Sequence, residues 1–323
     1  MLVDGRWLLD EEVSAMRNER GEFVRPDAKV RGWVSDDEGA RHPPAAGRYH
    51  LFGAHNCPWS QRCFIAIGLL GLDDVLTTSV AHYRRNEQGW WYADGIDDLQ
   101  PEDGQLPLHR VYTRGDPTYT GRATLPVLYD RERAQAISNE SADILRMLNG
   151  PLAPLGHGNV DLYPEELRST IDELNAWVYR DINNGVYRAG FARAQEAYDE
   201  AFDALFAALD RVDARLDRHR FLAGPVLTEA DVRLFPTLVR FDPVYYSHFK
   251  CNQRRIADYP NLSGYLRDLY QREPFRRTVR VDIYKLGYYG RSERLNPSGI
   301  IPRGPALGWD RPHGRDARSY AGA

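Results

Sequence analysis

Cysteine is scarce in this chain, with three in 323 residues. Three thiols cannot all pair, and nothing else in the sequence points to secretion. A disulfide framework is therefore excluded, and a reducing, cytoplasmic setting is expected. Long apolar runs are missing as well. No stretch approaches the roughly 18 consecutive apolar residues of a membrane span, so no transmembrane helix is expected. The opening MLVDGRWLLDEEVSAM is acidic and has no apolar centre, which argues against a secretory leader there. No charge of one sign dominates. Forty-two Lys and Arg against 46 Asp and Glu give a formal net charge of −4, which offers no electrostatic case for nucleic acid. The nine histidines show no H-E-x-x-H, and there is no C-x-x-C, so no metal centre is expected.

What is present is a chain long enough for two domains, with 42% hydrophobic and 27% charged residues. Residues 1–45 are polar and mixed in charge and read as an irregular extension, packed through Trp7, Phe23 and Trp33. From 46 to 150 the pattern reads β-α-β-(loop)-β-β-α. RYHLFGA is a strand, CPWSQRCFIAIGLLG a helix, VLTTSVAHY a strand and TLPVLYD a further strand. QAISNESADILRMLN runs from a short strand into a helix. Between them, residues 84–122 are rich in Gly, Pro, Asp and aromatics. A structureless insert of that length is unusual and often functional. After a linker, residues 165–281 are helical. TEADVRLFPTLVRFD opens on a capping box in which Thr228 and Asp231 satisfy each other's amides. Residues 282–323 read as an irregular tail. No internal repeat is present.

The stretch HNCPWSQR places Cys57 just before Pro58, and Pro suits a first helical position because its missing N–H would be unpaired there anyway. Cys57 is thus the expected N-cap. Unpaired amides and the helix dipole favour an anion at such a place, and the thiolate is the nucleophile. A dithiol motif would carry its second cysteine at position 60, which here is Ser60. Cys63 lies about 240° further around the helix at ~100° per residue and should face the core. Cys251 is remote in sequence. The stretch therefore describes a monothiol site whose mixed disulfide is resolved by a thiol from solution, glutathione being the natural candidate. The bland alternative is a buried cysteine acting as a small hydrophobe.

Two further stretches suit a short extended thiol peptide. TLPV places Pro126 at the start of a strand that ought to be central. One resolution is a cis peptide that turns the Leu125 backbone outward to pair with a ligand, the other an edge-strand proline. SNESADIL puts Glu140 and Ser141 at a helix start, which is either a carboxylate site or an ordinary N-cap.

RYHLFGAHNCPWSQR, YTGRATLPVLYD, ISNESADILRMLN, INNGVYRAGFA, LTEADVRLFPTLVRFDPVYYSHFKCN, DYPNLSGYLRDLYQ and NPSGIIPRGP together resemble the cytosolic glutathione transferases, and within them the Xi class, the glutathionyl-hydroquinone reductases. The likeness spans about residues 20–305. It implies an α/β thioredoxin-like N-terminal domain plus an all-α C-terminal domain, the glutathione transferase fold. It also implies glutathione as co-substrate, a glutathionyl-hydroquinone as substrate and a homodimer. By motif, Cys57 is the nucleophile. Trp90, Arg122, Leu125 through its backbone, Glu140 and Ser141 hold glutathione, and Tyr187 with Tyr288 or Tyr289 bonds the quinol hydroxyls. Trp90 is chosen over Trp91 because it follows Gly89 directly. Two departures stand out. Ser60 replaces the usual alanine, and Arg291-Ser292 follows the tyrosine pair where the family has Ser-His. The competing functions are a general glutathione-dependent thioltransferase and a non-catalytic binding protein of the same fold.

Overall fold

In the computed structural model, which describes residues 1–9, 16–290 and 295–320, the chain forms two compact units. The first is Met1–Glu12 with Asp27–Val160, the second Val13–Pro26 with Asp161–Ala323.

The first unit opens on a small hairpin, β1 (Leu2–Val3) and β2 (Arg6–Trp7). Its turn carries positive φ at Asp4 and Gly5. The amides and carbonyls of Leu2 and Gly121 exchange hydrogen bonds of 2.9 and 3.0 Å, which fix the hairpin to the chain just before TLPV. The fully buried run YHLFG forms β3 (Tyr49–Gly53). α1 (Pro58–Leu69) follows, then β4 (Thr77–Val80). β7 (Val127–Asp130), β8 (Gln135–Ser138) and α3 (Ser141–Asn149) complete the sheet and the helix after it. The sheet order is β4-β3-β7-β8. β3 and β4 are parallel, as a helical crossover requires, and β7 runs antiparallel to both β3 and β8. β7 is thus central, and Pro126 precedes its ladder rather than interrupting it.

The segment 84–122 is not the structureless loop expected from composition. It holds β5 (Trp91–Tyr92) paired with β6 (Leu106–Pro107), and α2 (Leu108–Gly115). Tyr92, Leu99, Leu106, Leu108, Val111 and Tyr112 cluster with Phe52, Val127 and Tyr129 of the sheet. The insert supplies the core on that side. Its apolar residues are too widely spaced among Gly, Pro and Asp to show a period, which hides them from pattern reading.

The second unit is helical: α4 (Arg168–Trp177), α5 (Gly185–Gly190), α6 (Gln195–Arg218), α7 (Glu229–Arg240), α8 (Tyr246–His248), α9 (Leu262–Tyr270), α10 (Glu273–Arg276) and α11 (Val281–Tyr289). The capping box of α7 is formed, with Thr228 N donating to Asp231 at 2.9 Å. Asp231 also accepts from Leu222 N at 2.8 Å and Tyr265 Oη at 2.7 Å. PEELRSTIDELNAWVYRDINNGVYRAG is not one regular helix, because a π-helical turn at Val178–Asn183 breaks its 3.6 period; a second π-helical turn, Phe241–Tyr245, follows α7. Such turns concentrate at functional sites. The start of the expected irregular tail is helical, because VDIYKLGYY buries Tyr284, Gly287 and Tyr289 along one face. Beyond it the tail has no regular elements but is anchored. The buried Arg315 donates to the Leu216, His219 and Arg220 carbonyls at 3.4, 2.9 and 2.7 Å, at the open end of α6.

Among the described residues no helix is long and apolar enough to cross a membrane, and no group of three or more His, Cys, Asp or Glu is gathered as for a metal ion.

Candidate active site

The first unit carries the thiol. Cys57 is the N-cap residue of α1 and Pro58 its first helical residue. The cysteine is 8% exposed, and its Sγ lies 3.7 Å from the Leu125 carbonyl oxygen. The Leu125-Pro126 peptide is cis. With the carbonyl turned to the thiol, the Leu125 amide donates no hydrogen bond among the described residues. A ligand backbone laid beside Cys57 finds this donor vacant. The other two cysteines are fully buried, and burial pushes both thiols up, so neither competes as a thiolate. Cys63 Sγ faces the Trp59 carbonyl at 3.9 Å, and Cys251 Sγ the Phe249 carbonyl at 3.8 Å. Ser60 is fully buried, and its hydroxyl has no partner among the described residues.

Glu140 caps α3, accepting from Ala142 N at 3.0 Å. Ser141 is buried behind it and accepts from Arg62 Nη1 at 3.2 Å. Arg62 was not singled out in the sequence. It follows Cys57 by five residues, is itself buried, and lies 4.4 Å from the Trp59 ring centroid. One guanidinium thus links the thiol's helix to the start of α3. Trp90 is half-buried against the core of this unit, with Arg85 5.4 Å from its ring centroid, and its indole N–H finds no acceptor among the described residues. Trp91 differs. Its Nε1 donates to the Arg84 carbonyl at 3.0 Å, and its ring stacks on His82 at 4.4 Å. The two adjacent tryptophans therefore have different surroundings. Arg122 is half-buried, and its carbonyl is 3.5 Å from Tyr119 Oη.

The second unit carries the tyrosines. Tyr187 on α5 and Tyr288 on α11 meet hydroxyl to hydroxyl at 2.6 Å. Tyr289 points elsewhere, bonding Ser247 Oγ. A third tyrosine completes the group. Tyr245, at the end of a π-helical turn, lies 3.2 Å from Tyr187 and 3.1 Å from Tyr288. It sits in RFDPVYYSHF, where two adjacent tyrosines gave no hint of which faces inward. Burial raises all three phenols above their ordinary range; Arg240 counteracts this at each, and Arg25 at Tyr187. Arg25 holds its guanidinium carbon 5.0 Å from the Tyr187 ring centroid and its Nε on Asn184 at 2.9 Å. Phe249 packs edge-on to Tyr187 at 5.5 Å. This closeness needs Gly190, where a Cβ would fall 2.2 Å from the Phe249 ring. Arg291 and Ser292, the departure noted after the tyrosine pair, lie outside the described residues.

The family models for the glutathione S-transferase N-terminal and C-terminal domains match residues 56–150 and 195–268. Glutathionyl-hydroquinone reductase PcpF of Sphingobium chlorophenolicum is 45% identical over 95% of this chain and 96% of its own. The structure of a Xi-class transferase from Natrialba magadii superposes with a TM-score of 0.87 at 42% identity, covering 98% of this chain and 96% of that one. Glutathione-bound YqjG from Escherichia coli gives 0.86 at 41%, covering 98% and 99%.

The chain is a Xi-class glutathione transferase.

As such a transferase it has the expected fold, a thioredoxin-like unit followed by a helical one. Its first unit provides a thiol, a vacant backbone donor and a helix start within one run of elements. Its second provides a buried phenol cluster flanked by two guanidinium groups.

Proposed function

We propose that this transferase reduces glutathionyl-hydroquinones to hydroquinones, as the names of its relatives PcpF and YqjG describe for those proteins. The observation that carries the reading is the solitary thiol: Cys57 caps α1 with no second reactive sulfur in its unit. The Cys57 thiolate attacks the thioether sulfur. The carbon–sulfur bond breaks, its electron pair passes into the aromatic ring, a ring carbon takes a proton, and the hydroquinone leaves. Cys57 is then a mixed disulfide with glutathione. A second glutathione thiolate attacks the glutathione sulfur of that disulfide, glutathione disulfide departs, and the Cys57 thiolate returns.

In this proposal Leu125 pairs by its backbone with the peptide, and Trp90 and Arg122 lie along it. The start of α3 takes a carboxylate with the help of the Ser141 hydroxyl, and Glu140 suits the ammonium group. Tyr187 and Tyr288 engage the quinol hydroxyls, where phenol donors stabilise charge on the departing ring. Cytoplasmic residence enters the proposal through the scarce cysteines and a homodimer through the resemblance; light scattering on the purified protein tests the dimer.

The experiment is turnover of a glutathionyl-hydroquinone with excess glutathione, followed by chromatography of the freed hydroquinone, in wild type, Cys57→Ser and Cys63→Ala. Release that needs Cys57 and not Cys63 is expected. Full release by Cys57→Ser refutes the mechanism. No release by wild type that still reduces a glutathione mixed disulfide favours a general thioltransferase.

A further inference from the structure

Three tyrosine hydroxyls that touch pairwise form a closed ring, and a closed ring has a simple count. Each phenol carries one hydrogen and can accept two more. Three edges of 2.6, 3.1 and 3.2 Å between Tyr187, Tyr288 and Tyr245 need three donors, and the three hydroxyls have three. Running head to tail, the ring leaves no hydrogen to offer outward, only acceptor lone pairs. The corners also differ in depth. Tyr245 is fully buried, Tyr187 is 7% exposed, and Tyr288 is the most open of the three. A ligand therefore meets Tyr288 first, and Tyr245 acts from behind.

We propose that Tyr245 is a specificity-determining positioning residue: by closing the hydroxyl ring it engages the last donor, so that the aromatic substrate is taken up as a neutral quinol whose hydroxyl donates into the ring, in preference to its phenolate. This rests on the proposed quinol chemistry. A phenolate arriving at Tyr288 needs a donor, and one edge must open to supply it. The two longer edges both end at Tyr245. Opening the Tyr245–Tyr288 edge leaves a chain of three hydroxyls, Tyr245 at its far end, Tyr187 between, and Tyr288 donating to the substrate oxygen. Such chains are strengthened by mutual polarisation. The ring thus favours a neutral guest and still delivers a donor when charge develops on the departing product.

The charged and titratable groups facing the ring are Arg25 against Tyr187, Arg240 at the end of α7, His248 against Tyr288 at 6.3 Å, and Tyr284, whose ring lies 3.7 Å from the Arg240 guanidinium carbon. All are retained in Tyr245→Phe, so only the donor count changes. Two hydroxyls then share one bond, one hydrogen is left over in a buried place, and an anion satisfies it.

The test uses the full-length protein and 4-nitrophenol, whose phenolate absorbs in the visible. Ionisation of the bound probe is titrated in wild type, Tyr245→Phe and Tyr288→Phe. Tyr245→Phe should bind the phenolate about fivefold tighter relative to the neutral phenol, the factor carried by one neutral hydrogen bond. The ionisation of the bound probe then moves to lower pH. Tyr288→Phe should weaken both forms. A second measurement needs no variant. In wild type at a pH where the probe is neutral, 4-nitroanisole, which cannot donate, should bind about fivefold or more weaker than 4-nitrophenol. Equal binding of the two, an unmoved or raised ionisation in Tyr245→Phe, or no binding of the probe by wild type overturns the inference. Failure of wild type to release hydroquinone removes the proposed function and the inference together. Hydroquinone release with an unmoved probe ionisation removes the inference alone.

Discussion

Ser141→Ala separates folding from ligand binding at one atom. The hydroxyl is buried, accepts from Arg62 Nη1 at 3.2 Å and donates to Glu140 Oε1 at 3.4 Å. A hydrogen bond with a charged partner contributes about 1.5–3 kcal/mol net. At 3.2 Å the bond is at the long end of the N–H···O range, so the lower figure applies, and the 3.4 Å contact adds little. The alanine variant should therefore lose about 1.5 kcal/mol of stability, because a buried guanidinium is deprived of an acceptor. If the same hydroxyl also receives a glutathione carboxylate, affinity should fall about tenfold, an independent ~1.4 kcal/mol. Urea unfolding measures the first quantity. Calorimetric titration of glutathione measures the second, in a Cys57→Ser background that cannot trap the ligand as a disulfide. Ser141→Thr, which keeps a hydroxyl, should recover both. A glutathione Kd unchanged within about twofold, beside the full loss of stability, would falsify the carboxylate role and leave Ser141 as a link between two helices. Unchanged stability would mean that the Arg62 contact has no net value.

Tyr187→Phe removes two of the three ring edges, and glutathione turnover chemistry at Cys57 has no need of them. Quinol turnover should fall about a hundredfold, the low end of the loss expected for a removed transition-state donor, with glutathione affinity held within about twofold; equal losses in steady-state kinetics and calorimetry would point to a disturbed fold. His50 offers a test by pH. Burial holds its imidazole down at about 4 from 6.5, with Nδ1 on Thr77 Oγ1 at 2.6 Å. Between those values the unfolded chain binds a proton that the folded chain does not, so stability rises with pH across this window. The contribution is complete above the unfolded value and is lost as pH falls through the folded one. Unfolding midpoints between pH 4 and 6.5 should be flatter in His50→Gln by on the order of 3 kcal/mol, and identical slopes in the two proteins would refute the assignment.

How far the sequence could be read depended on whether local rules had tertiary competitors. Pro58 after Cys57 marks a helix start by its own geometry, and the structure starts α1 there. Thr228 and Asp231 satisfy each other three residues apart, and that box is formed. The insert at 84–122 failed the same reading, because α2 and its strands are held by burial against Phe52 and Tyr129 and not by any local period. Tyr187 and Tyr288 were named through the family resemblance, yet what joins them is a contact across 101 residues. Tyr245 escaped because a π-helical turn shifts which residues face inward, and a 3.6 period cannot announce that shift. Arg62 escaped because a buried arginine next to a hydroxyl looks, in sequence, like any surface cation on a helix.

The anchoring of Arg315 on the last carbonyls of α6 has a consequence for the order in which the molecule is made. A 24-residue helix finishes its hydrogen bonding with a side chain 95 residues or more further along the chain. During synthesis the carboxyl end of α6 is exposed from the time Arg220 emerges until the tail does, so the helical unit cannot close in the order in which it is translated. The residues 16–26 that join this unit wait longer still: Arg25 precedes the segment Asp27–Val160 of the first unit, and Tyr187, on which it rests, follows after that segment. The thiol half can therefore be complete while the phenol half, whose pieces lie on either side of it in the sequence, is still being assembled.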